Sequence, residues 1–322
     1  MIYCKAPFRI SLLGGGSDHP NFIDKHGYGL VLTAAINKYA YVGVKELMPF
    51  FPYKTRLTYS EVECVNHWYD IKHRVFKYCL SYENLQNDPV EINYTADLPG
   101  SIGLGTSSTM IVCMLEALRQ FHHSRGYQDK QFLWKSAFHV ENVLMQETVG
   151  YQDYLPAIYG WTQGYKITHG KLTFLPLHSK IEDIVNNCGL LLYLGKTRNS
   201  SEVLSQYVKE LPDSDAQLQI RKLAEEGMSS SSVSHLGCLL RDSWELKKTL
   251  SPNVSTPQVD EVIETCVANG AYGAKLCGSG GGGCVFVLAR ADRLYNIVQA
   301  TKELGAIQIP FEVAPRGVGR IL

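Results

Sequence analysis

The run Asp97-Leu98-Pro99-Gly100-Ser101-Ile102-Gly103-Leu104-Gly105-Thr106-Ser107-Ser108 is a glycine-rich turn with hydroxyl residues that leads directly into an apolar helix predicted over 106–122. Backbone N–H groups at a helix start, together with the helix dipole, attract an anion, and glycines let the chain approach it closely. An ordinary turn with a Ser or Thr helix cap explains the same pattern. Two further glycine-rich segments, 13–18 and 277–283, favour phosphate binding, although neither has the Gly-Lys-Ser/Thr of a P-loop.

The composition is that of a globular chain with one large or two ordinary domains. The 322 residues are 45% apolar and 19% charged, and 31 basic residues balance 31 acidic ones. This balance gives no global field for nucleic acid or an anionic membrane, so the sequence predicts neither partner. The nine cysteines include no Cys-x-x-Cys pair, which indicates buried thiols in a reducing compartment. Since the sequence has neither a signal-peptide pattern nor an apolar run of about 18 residues, we expect a cytoplasmic protein.

The order of predicted elements indicates an α+β fold in two parts. Alternating β-branched and aromatic residues, or short apolar runs, predict strands over 39–44, 90–95, 160–167, 172–177, 189–194, 272–276, 284–289 and 307–313. Helical periodicity predicts helices near 68–80, 106–122, 130–147, 199–210, 216–227, 233–250, 257–269 and 291–304. We expect a boundary between the two parts near residue 165.

Three segments in order carry a resemblance to a known family. Lys5-Ala6-Pro7-Phe8-Arg9-Ile10, the 97–108 run and the segment 275–283 are similar to the three motifs of the GHMP small-molecule kinases. Within that family, the Gly-Gly-Gly-Ser-Asp run of 14–18 and the segments 149–160 and 193–201 resemble the bacterial D-glycero-D-manno-heptose 7-phosphate kinases. The resemblance implies a two-lobed fold. A ribosomal-S5-like N-terminal lobe would span 1–165, and a ferredoxin-like C-terminal lobe would span 166–322.

The resemblance also implies an activity. With ATP and Mg²⁺, the enzyme would transfer the γ-phosphoryl group to the anomeric hydroxyl of D-glycero-D-manno-heptose 7-phosphate, giving the 1,7-bisphosphate. Such a transfer needs a phosphate cradle, a metal and a carboxylate at the acceptor oxygen. A kinase of the same family for fucose, galactose or a hexose phosphate stays open, and so does a sugar or nucleotide sensor without catalysis. A homodimer is compatible with the resemblance.

Two glycine loops are implied as the ATP site. Their residues are Pro99, Gly100, Ser101, Gly103, Leu104, Gly105, Thr106, Ser107 and Ser108 in the first, and Gly278, Ser279, Gly280 and Gly281 in the second. Ser107 and Glu141 would hold Mg²⁺, which needs only one or two protein oxygens beside phosphates and water. Glu147 is the competing carboxylate, and a solvated position on a helix is the alternative for Glu141.

Asp153 is implied as the catalytic base, with Arg9 holding it and the developing anion in place. Arg9 lies in an apolar strand-like run where an unpaired charge is costly, so the sequence itself predicts an anionic partner. A helix cap at Asp153 and a structural ion pair at Arg9 are the alternatives.

Acceptor binding is implied at two places. Contacts to the sugar would come from Gly15, Gly16, Ser17, Asp18, His19 and Gln152, and contacts to its phosphate from Lys196, Arg198 and Ser200. Arg and Lys at a helix start suit a terminal phosphate. Ordinary turn chemistry for the first set and a solvated helix start for the second are the alternatives.

Overall fold

A computed structural model of the chain describes residues 1–123, 126, 129–195 and 215–321. The strands are β1 (Ile2–Leu13), β2 (Gly29–Glu46), β3 (Thr55–Thr58), β4 (Val62–Val65), β5 (Val90–Ala96), β6 (Thr162–Thr168), β7 (Lys171–Leu175), β8 (Gly189–Tyr193), β9 (Ala271–Leu276), β10 (Cys284–Ala289), β11 (Ile307–Gln308) and β12 (Gly319–Arg320). The α-helices are α1 (Pro20–His26), α2 (Arg74–Tyr82), α3 (Thr106–His123), α4 (Lys130–Phe138), α5 (Leu155–Tyr159), α6 (Ile181–Cys188), α7 (Asp215–Met228), α8 (Val233–Leu250), α9 (Pro257–Ala268) and α10 (Ala291–Lys302).

The first sheet has eight strands in the order β12-β1-β2-β5-β3-β4, with β6 paired to β2 and β7 paired to β6. β2 is its centre, because this 18-residue strand pairs with β1 on one edge and with both β6 and β5 on the other. Only the β3–β5 pair is parallel among the described strands. β1, which carries Arg9, therefore lies between β2 and the two-residue strand β12.

A register shift in β1 decides which way its side chains face. Cys4 and Ala6 pack into one core, with the apolar side chains of α3, whereas Phe8 and Ile10 pack into a second core on the opposite face. The register with β2 shifts between Pro7 and Phe8, and such an irregularity re-aims the residues that follow it. Arg9 and Ser11 therefore turn away from the second core, until a second register shift after Ser11 brings Leu13 into it.

The second sheet is antiparallel, with the order β11-β8-β10-β9. Its side chains alternate between two cores, as a strand covered on both faces requires. Leu191 and Phe286 face the second core, shared with the first sheet, and Leu192 and Val285 face a third core beneath α8, α9 and α10. The two sheets are thus joined through one apolar layer.

The α+β class expected from the sequence is confirmed. The helix expected over 130–147 ends as α4 at Phe138 and continues as a π-helical turn, His139–Leu144. The strand expected over 307–313 is only β11, followed by a single bridge from Val313 to Ile36. The helix expected near 199–210 lies outside the described residues.

The boundary expected near residue 165 falls inside β6, which pairs with β2 and with β7. We propose instead that the N-terminal lobe extends to Leu175, since β7 is still part of the first sheet. No helix within the described ranges is long and apolar enough to cross a bilayer.

Candidate active site

Most of the candidate site residues from the sequence analysis line one cleft of about 520 Å³. It is lined by Arg9, Gly15, Gly16, His19, Ser101, Gly103, Gly105, Thr106, Ser107, Ser108, Glu141, Gln152, Asp153, Gly278 and Ser279. Ser11, residues 145–150 and residues of α7, α8 and the end of β9 also line it, so that both lobes contribute to the cleft. Of the expected ATP-site residues, Pro99, Gly100, Leu104, Gly280 and Gly281 do not line the cleft.

The two glycine loops touch each other directly across the lobes. Gly103 has a φ of +83°, and a Cβ there would lie 2.8 Å from the carbonyl carbon of Cys277. A Cβ on Gly278 would in turn lie 2.5 Å from the Cα of Gly103. Only glycine allows both the left-handed backbone and this close approach. The amide of Cys284 also donates to the carbonyl of Ile102 at 3.0 Å, which holds the loops in register.

The start of α3 offers N–H groups to the cleft. The first turn of a helix has no intrahelical acceptor for these groups, and the helix dipole adds positive potential there. Thr106 Oγ1 accepts from the amide of Ser101 at 3.2 Å, which closes the loop in front of the helix. Leu104 is buried, and its carbonyl accepts from the amide of Arg9 at 3.2 Å, so that this residue anchors the loop to β1. The junction can hold an anion without relying on a lysine of its own.

Glu141 faces this helix start from the π-helical turn. Ser107 Oγ donates to its Oε1 at 2.7 Å, and Ser108 Oγ donates to its Oε2 at 2.6 Å. Burial raises the pKa of Glu141 to about 7, although hydrogen bonds from Ser108, Ser107 and Tyr154 act in the opposite direction. Glu147 instead pairs with Arg74 at 2.5 Å at the rim. The structure therefore brings together Ser107 and Glu141, the pair expected at a metal.

Arg9 and Asp153 form the expected ion pair. The guanidinium Nη2 lies 2.6 Å and the Nε 3.2 Å from Asp153 Oδ1, and Nη1 donates to the carbonyl of Gly103 at 2.6 Å. Both side chains line the cleft, but that of Arg9 is 3% exposed and that of Asp153 is 20% exposed, so the carboxylate is the more accessible partner. Among the described residues, Asp153 Oδ2 has no hydrogen-bond partner and is available to a ligand.

Ser17 and Asp18 were expected to contact the sugar, but both are buried behind the cleft. Asp18 Oδ2 accepts from the amide of Gln152 at 2.9 Å, and Oδ1 accepts from the amide of Gly16 at 3.0 Å. Burial raises the pKa of Asp18. Ser17 Oγ donates to the carbonyls of Gly14 and Leu30. Asp18 thus connects the 14–19 loop to the 3₁₀ turn Tyr151–Asp153, which carries the proposed base.

His19 and Gln152 do line the cleft. Gln152 Oε1 accepts from Ser11 Oγ at 2.8 Å, and this hydroxyl comes from the same face of β1 as Arg9. His19 Nδ1 is buried, and it has no hydrogen-bond partner in the part of the chain that the structure describes. A polar ligand in the cleft would satisfy it. Lys196, Arg198 and Ser200, expected at the acceptor's phosphate, lie outside the described residues.

Two lysines of the cleft were not assigned from the sequence. Lys275, in the third glycine motif, donates from Nζ to the carbonyl of Leu12 at 3.0 Å, and burial lowers its pKa to about 8. Lys247, on α8, donates to the carbonyl of Gly278, and burial lowers its pKa to about 7. No motif marks Lys247. The available signal is its spacing from Ser243 and Leu250, which places it on the buried face of the helix.

Comparisons with known proteins show the family of the chain. The family model "GHMP kinases N terminal domain" matches residues 71–161, and "GHMP kinases C terminal" matches 220–306, together more than half of the chain. The D-glycero-alpha-D-manno-heptose 7-phosphate kinase of Campylobacter jejuni is 26% identical and covers 98% of both chains. A galactokinase of Thermotoga neapolitana is 23% identical over 92% of both chains.

The solved structures show the same fold. The crystal structure of a D-glycero-D-manno-heptose 1-phosphate kinase from Bacteroides thetaiotaomicron has a TM-score of 0.78 at 21% identity, and covers 100% of this chain and 99% of that one. The mevalonate kinase of Methanococcus jannaschii has a TM-score of 0.74 at 20% identity, with 97% and 98% covered. The chain belongs to the GHMP kinase family and is an ATP-dependent sugar kinase.

Proposed function

We propose that the protein transfers the γ-phosphoryl group of ATP to the anomeric hydroxyl of D-glycero-D-manno-heptose 7-phosphate and gives heptose 1,7-bisphosphate. The Arg9–Asp153 pair carries this proposal, because Arg9 binds both the carboxylate and the carbonyl of Gly103 in the phosphate-binding loop. An acid and a phosphate cradle are thereby held side by side. The full-length similarity to the heptose 7-phosphate kinase of Campylobacter jejuni supports the acceptor.

The triphosphate would lie on the N–H groups at the start of α3 and against Gly278 and Ser279. These groups are fixed before the ligand arrives, since the Gly103–Gly278 contact and the Thr106 hydroxyl already hold the loops. Preorganised donors cost little reorganisation when charge develops on the phosphoryl oxygens.

Ser107 and Glu141 fit a Mg²⁺ ion. They offer a hydroxyl and a carboxylate oxygen, the hard donors that Mg²⁺ prefers, and phosphates and water complete its shell. The Glu141 carboxylate is buried among hydroxyl donors, so a cation beside it would favour its ionised form. When bound, the ion would neutralise phosphate charge.

Asp153 acts as the base in this proposal. Its Oδ2 takes the proton of the anomeric hydroxyl, the hydroxyl oxygen bonds to the γ-phosphorus, and the bond to the oxygen that bridges the β- and γ-phosphorus atoms breaks. Arg9 orients the carboxylate through its two hydrogen bonds to Oδ1. Asp18 acts as a positioning residue for the turn of Asp153, and Ser17 fixes the same loop.

The sugar would occupy the side of the cleft formed by Gly15, Gly16, His19 and Gln152. The buried Nδ1 of His19 and the hydrogen-bonded side chains of Ser11 and Gln152 would give the hydroxyl groups of a sugar hydrogen-bond partners in fixed directions. An enzyme that uses ATP and a sugar phosphate would work in the cytoplasm, where both are kept.

The second candidate function is a kinase of the same family that phosphorylates another sugar. The galactokinase and fucokinase relatives have 23% and 27% identity, close to the 26% of the heptose 7-phosphate kinase, so identity alone does not separate the sugars. The structural relative from Bacteroides thetaiotaomicron is named as a heptose 1-phosphate kinase, which adds a further heptose phosphate to the acceptors to be compared.

A sugar panel tests the proposal. The protein is incubated with ATP and Mg²⁺ and with heptose 7-phosphate, unphosphorylated heptose, galactose, fucose or hexose phosphates, and ADP release is followed. Phosphorus NMR of the product should show a second phosphate at the anomeric carbon. Faster turnover of a neutral hexose than of heptose 7-phosphate would overturn the acceptor, and absence of ADP release with every sugar would favour the sensor.

A further inference from the structure

A lysine of the C-terminal lobe adds to this site. We propose that Lys247 binds the γ-phosphoryl group of ATP from the C-terminal lobe. The inference rests on the ATP-dependent kinase activity of the family. It depends on the proposed function only for the position of Asp153.

Lys247 lies on the face of α8 that is turned toward the cleft. Ser243 and Trp244 are buried one turn before it, and Leu250 is buried just after it, so Lys247 lies on the inward face of the helix and lines the cleft. Its neighbour Lys248 lies elsewhere on the helix and pairs with Glu245 at 2.9 Å. Adjacent lysines thus have different surroundings.

The Lys247 ammonium contacts the second glycine loop. Lys247 Nζ donates to the carbonyl of Gly278, and Gly278 packs against Gly103. The carbonyl of Gly103 accepts from Arg9 Nη1 at 2.6 Å. One cation from each lobe therefore reaches the point where the two glycine loops meet, and the triphosphate would lie along these loops.

The charge of Lys247 is not balanced by a nearby carboxylate of the described residues. Within the described ranges, no carboxylate lies at ion-pair distance from Lys247, while Asp153 is paired with Arg9. Lys275 stands nearby and repels it, and burial together with this repulsion lowers the pKa of Lys247. Buried cations without a carboxylate are costly until an anion arrives. A phosphoryl group would supply that anion.

The position of Lys247 favours the γ-phosphoryl group over the α- and β-phosphates. Lys247 lines the same cleft as Asp153, and Arg9, which pairs with Asp153, also binds the Gly103 carbonyl beside Gly278. The α- and β-phosphates would lie further back, on the N–H groups of α3. Lysine presents three donors on a flexible stem, so Nζ can exchange the Gly278 carbonyl for a phosphoryl oxygen. Lys275 is held at Leu12 and is less able to do so.

The experiment compares nucleotides in the absence of acceptor. Titration calorimetry with Mg²⁺ measures the affinity of wild type, Lys247→Met, Lys247→Gln and Lys247→Arg for ADP and for a non-hydrolysable ATP analogue. A charged hydrogen bond to the γ-phosphoryl group predicts that Met and Gln weaken the analogue about 10- to 100-fold, leave ADP within a factor of about two, and that Arg restores most of the analogue affinity. Lys248→Met is the matched control and should leave both affinities unchanged.

Kinetics provide the second arm. For Lys247→Met we expect a lower kcat with an unchanged KM for the sugar phosphate. A higher KM for the acceptor with intact analogue affinity would assign Lys247 to the acceptor's phosphate and overturn the proposal. Equal losses for ADP and the analogue, or a lower Tm in both the Met and Gln variants, would show a structural role and overturn it as well. Since the titrations need no acceptor, they are independent of the proposed sugar.

Discussion

At the scale of single residues, the pairing of Asp153 with Arg9 leads to a direct prediction. Asp153→Asn should lower kcat about 10²- to 10⁴-fold, the usual contribution of general base catalysis. The affinity for ATP should stay near that of the wild type, because the loops that hold the phosphates do not include this side chain. Steady-state ADP release and nucleotide titration measure the two quantities.

The matched control is Glu147→Gln, which also replaces a carboxylate at the cleft. Glu147 pairs with Arg74 at the rim, so we expect kcat to change little. If Asp153→Asn retained a kcat within tenfold of the wild type, or if Glu147→Gln lost as much, Asp153 would not be the base.

Lys247 gives a pH-dependent prediction for stability. Its pKa is lowered from 10.5 in the unfolded chain to about 7 in the folded protein, so between these values the unfolded state binds more protons. The lowered pKa of Lys247 therefore does not affect the free energy of unfolding above pH 10.5. It reduces this free energy progressively as the pH falls from 10.5 to 7. Lys247→Met should be more stable than the nucleotide-free wild type at pH 7, and this advantage should shrink at pH 9.

Urea unfolding at pH 7, 8 and 9 measures this difference, with Lys248→Met as the control because Lys248 keeps an ordinary surface ion pair. Parallel stability curves for the wild type and Lys247→Met across this range would contradict the depressed pKa.

The residue scale also shows what sequence could and could not predict. The partner of Arg9 was predictable, because a charge in an apolar run needs a counter-ion. The burial of Asp18 was not, since its partner, the amide of Gln152, is more than a hundred residues away and the local Ser-Asp pattern is equally suited to a turn. Lys247 was missed for the same reason, because its neighbours in the cleft are remote in sequence.

At the scale of elements, the contact between the two glycine loops is the feature to test. Gly103→Ala would place a Cβ against the Cys277 carbonyl group at a positive φ. Such a change should weaken ATP binding and lower the free energy of unfolding by about 1–3 kcal/mol. Nucleotide titration and thermal unfolding follow both effects.

Gly100→Ala is the control in the same loop, because a Cβ there meets no atom within 4 Å. It should leave stability and ATP affinity close to those of the wild type. Equal effects of the two substitutions would mean that general stiffening of the loop, and not the approach of Gly278, explains the glycines.

Long periodic elements were predictable and their ends were not. The helices expected over 106–122, 233–250 and 257–269 are α3, α8 and α9 within a residue or two. The π-helical turn that places Glu141 opposite Ser107 gives no periodic signal of its own, because it adds a single residue to a helical pattern. The expected last strand shortened to β11, since the chain leaves the second sheet to pair with the first.

At the scale of the whole molecule, the end of the chain joins the lobes. After α10 and β11 in the second lobe, the chain returns to the first sheet, where the amide of Ala314 donates to the carbonyl of Ala35 and its carbonyl accepts from the amide of Trp161. β12 then pairs with β1, the strand that carries Arg9. These contacts lie beyond residue 306, where the family's C-terminal match ends. The tail therefore fixes the lobe that holds the Arg9–Asp153 pair.

Two glycines of this tail give a matched test. A Cβ at Gly317 would press on the carbonyl of Ile158 and lie 2.7 Å from the amide nitrogen of Tyr159, whereas a Cβ at Gly319 meets nothing within 4 Å. Gly317→Ala should lower the free energy of unfolding by about 1–3 kcal/mol, as overpacking against a backbone does. Gly319→Ala should cost much less. Thermal and urea unfolding of the two variants measure the difference.

Neither substitution touches the glycine loops, so the ATP affinity of the folded Gly317→Ala protein should equal that of the wild type. Its kcat should fall only if displacement of the tail reaches α5 and, through it, the turn of Asp153, because Ile158 belongs to the helix that follows this turn. If Gly317→Ala and Gly319→Ala unfolded at the same temperature, the return of the chain to the first sheet would contribute nothing to the stability of the molecule.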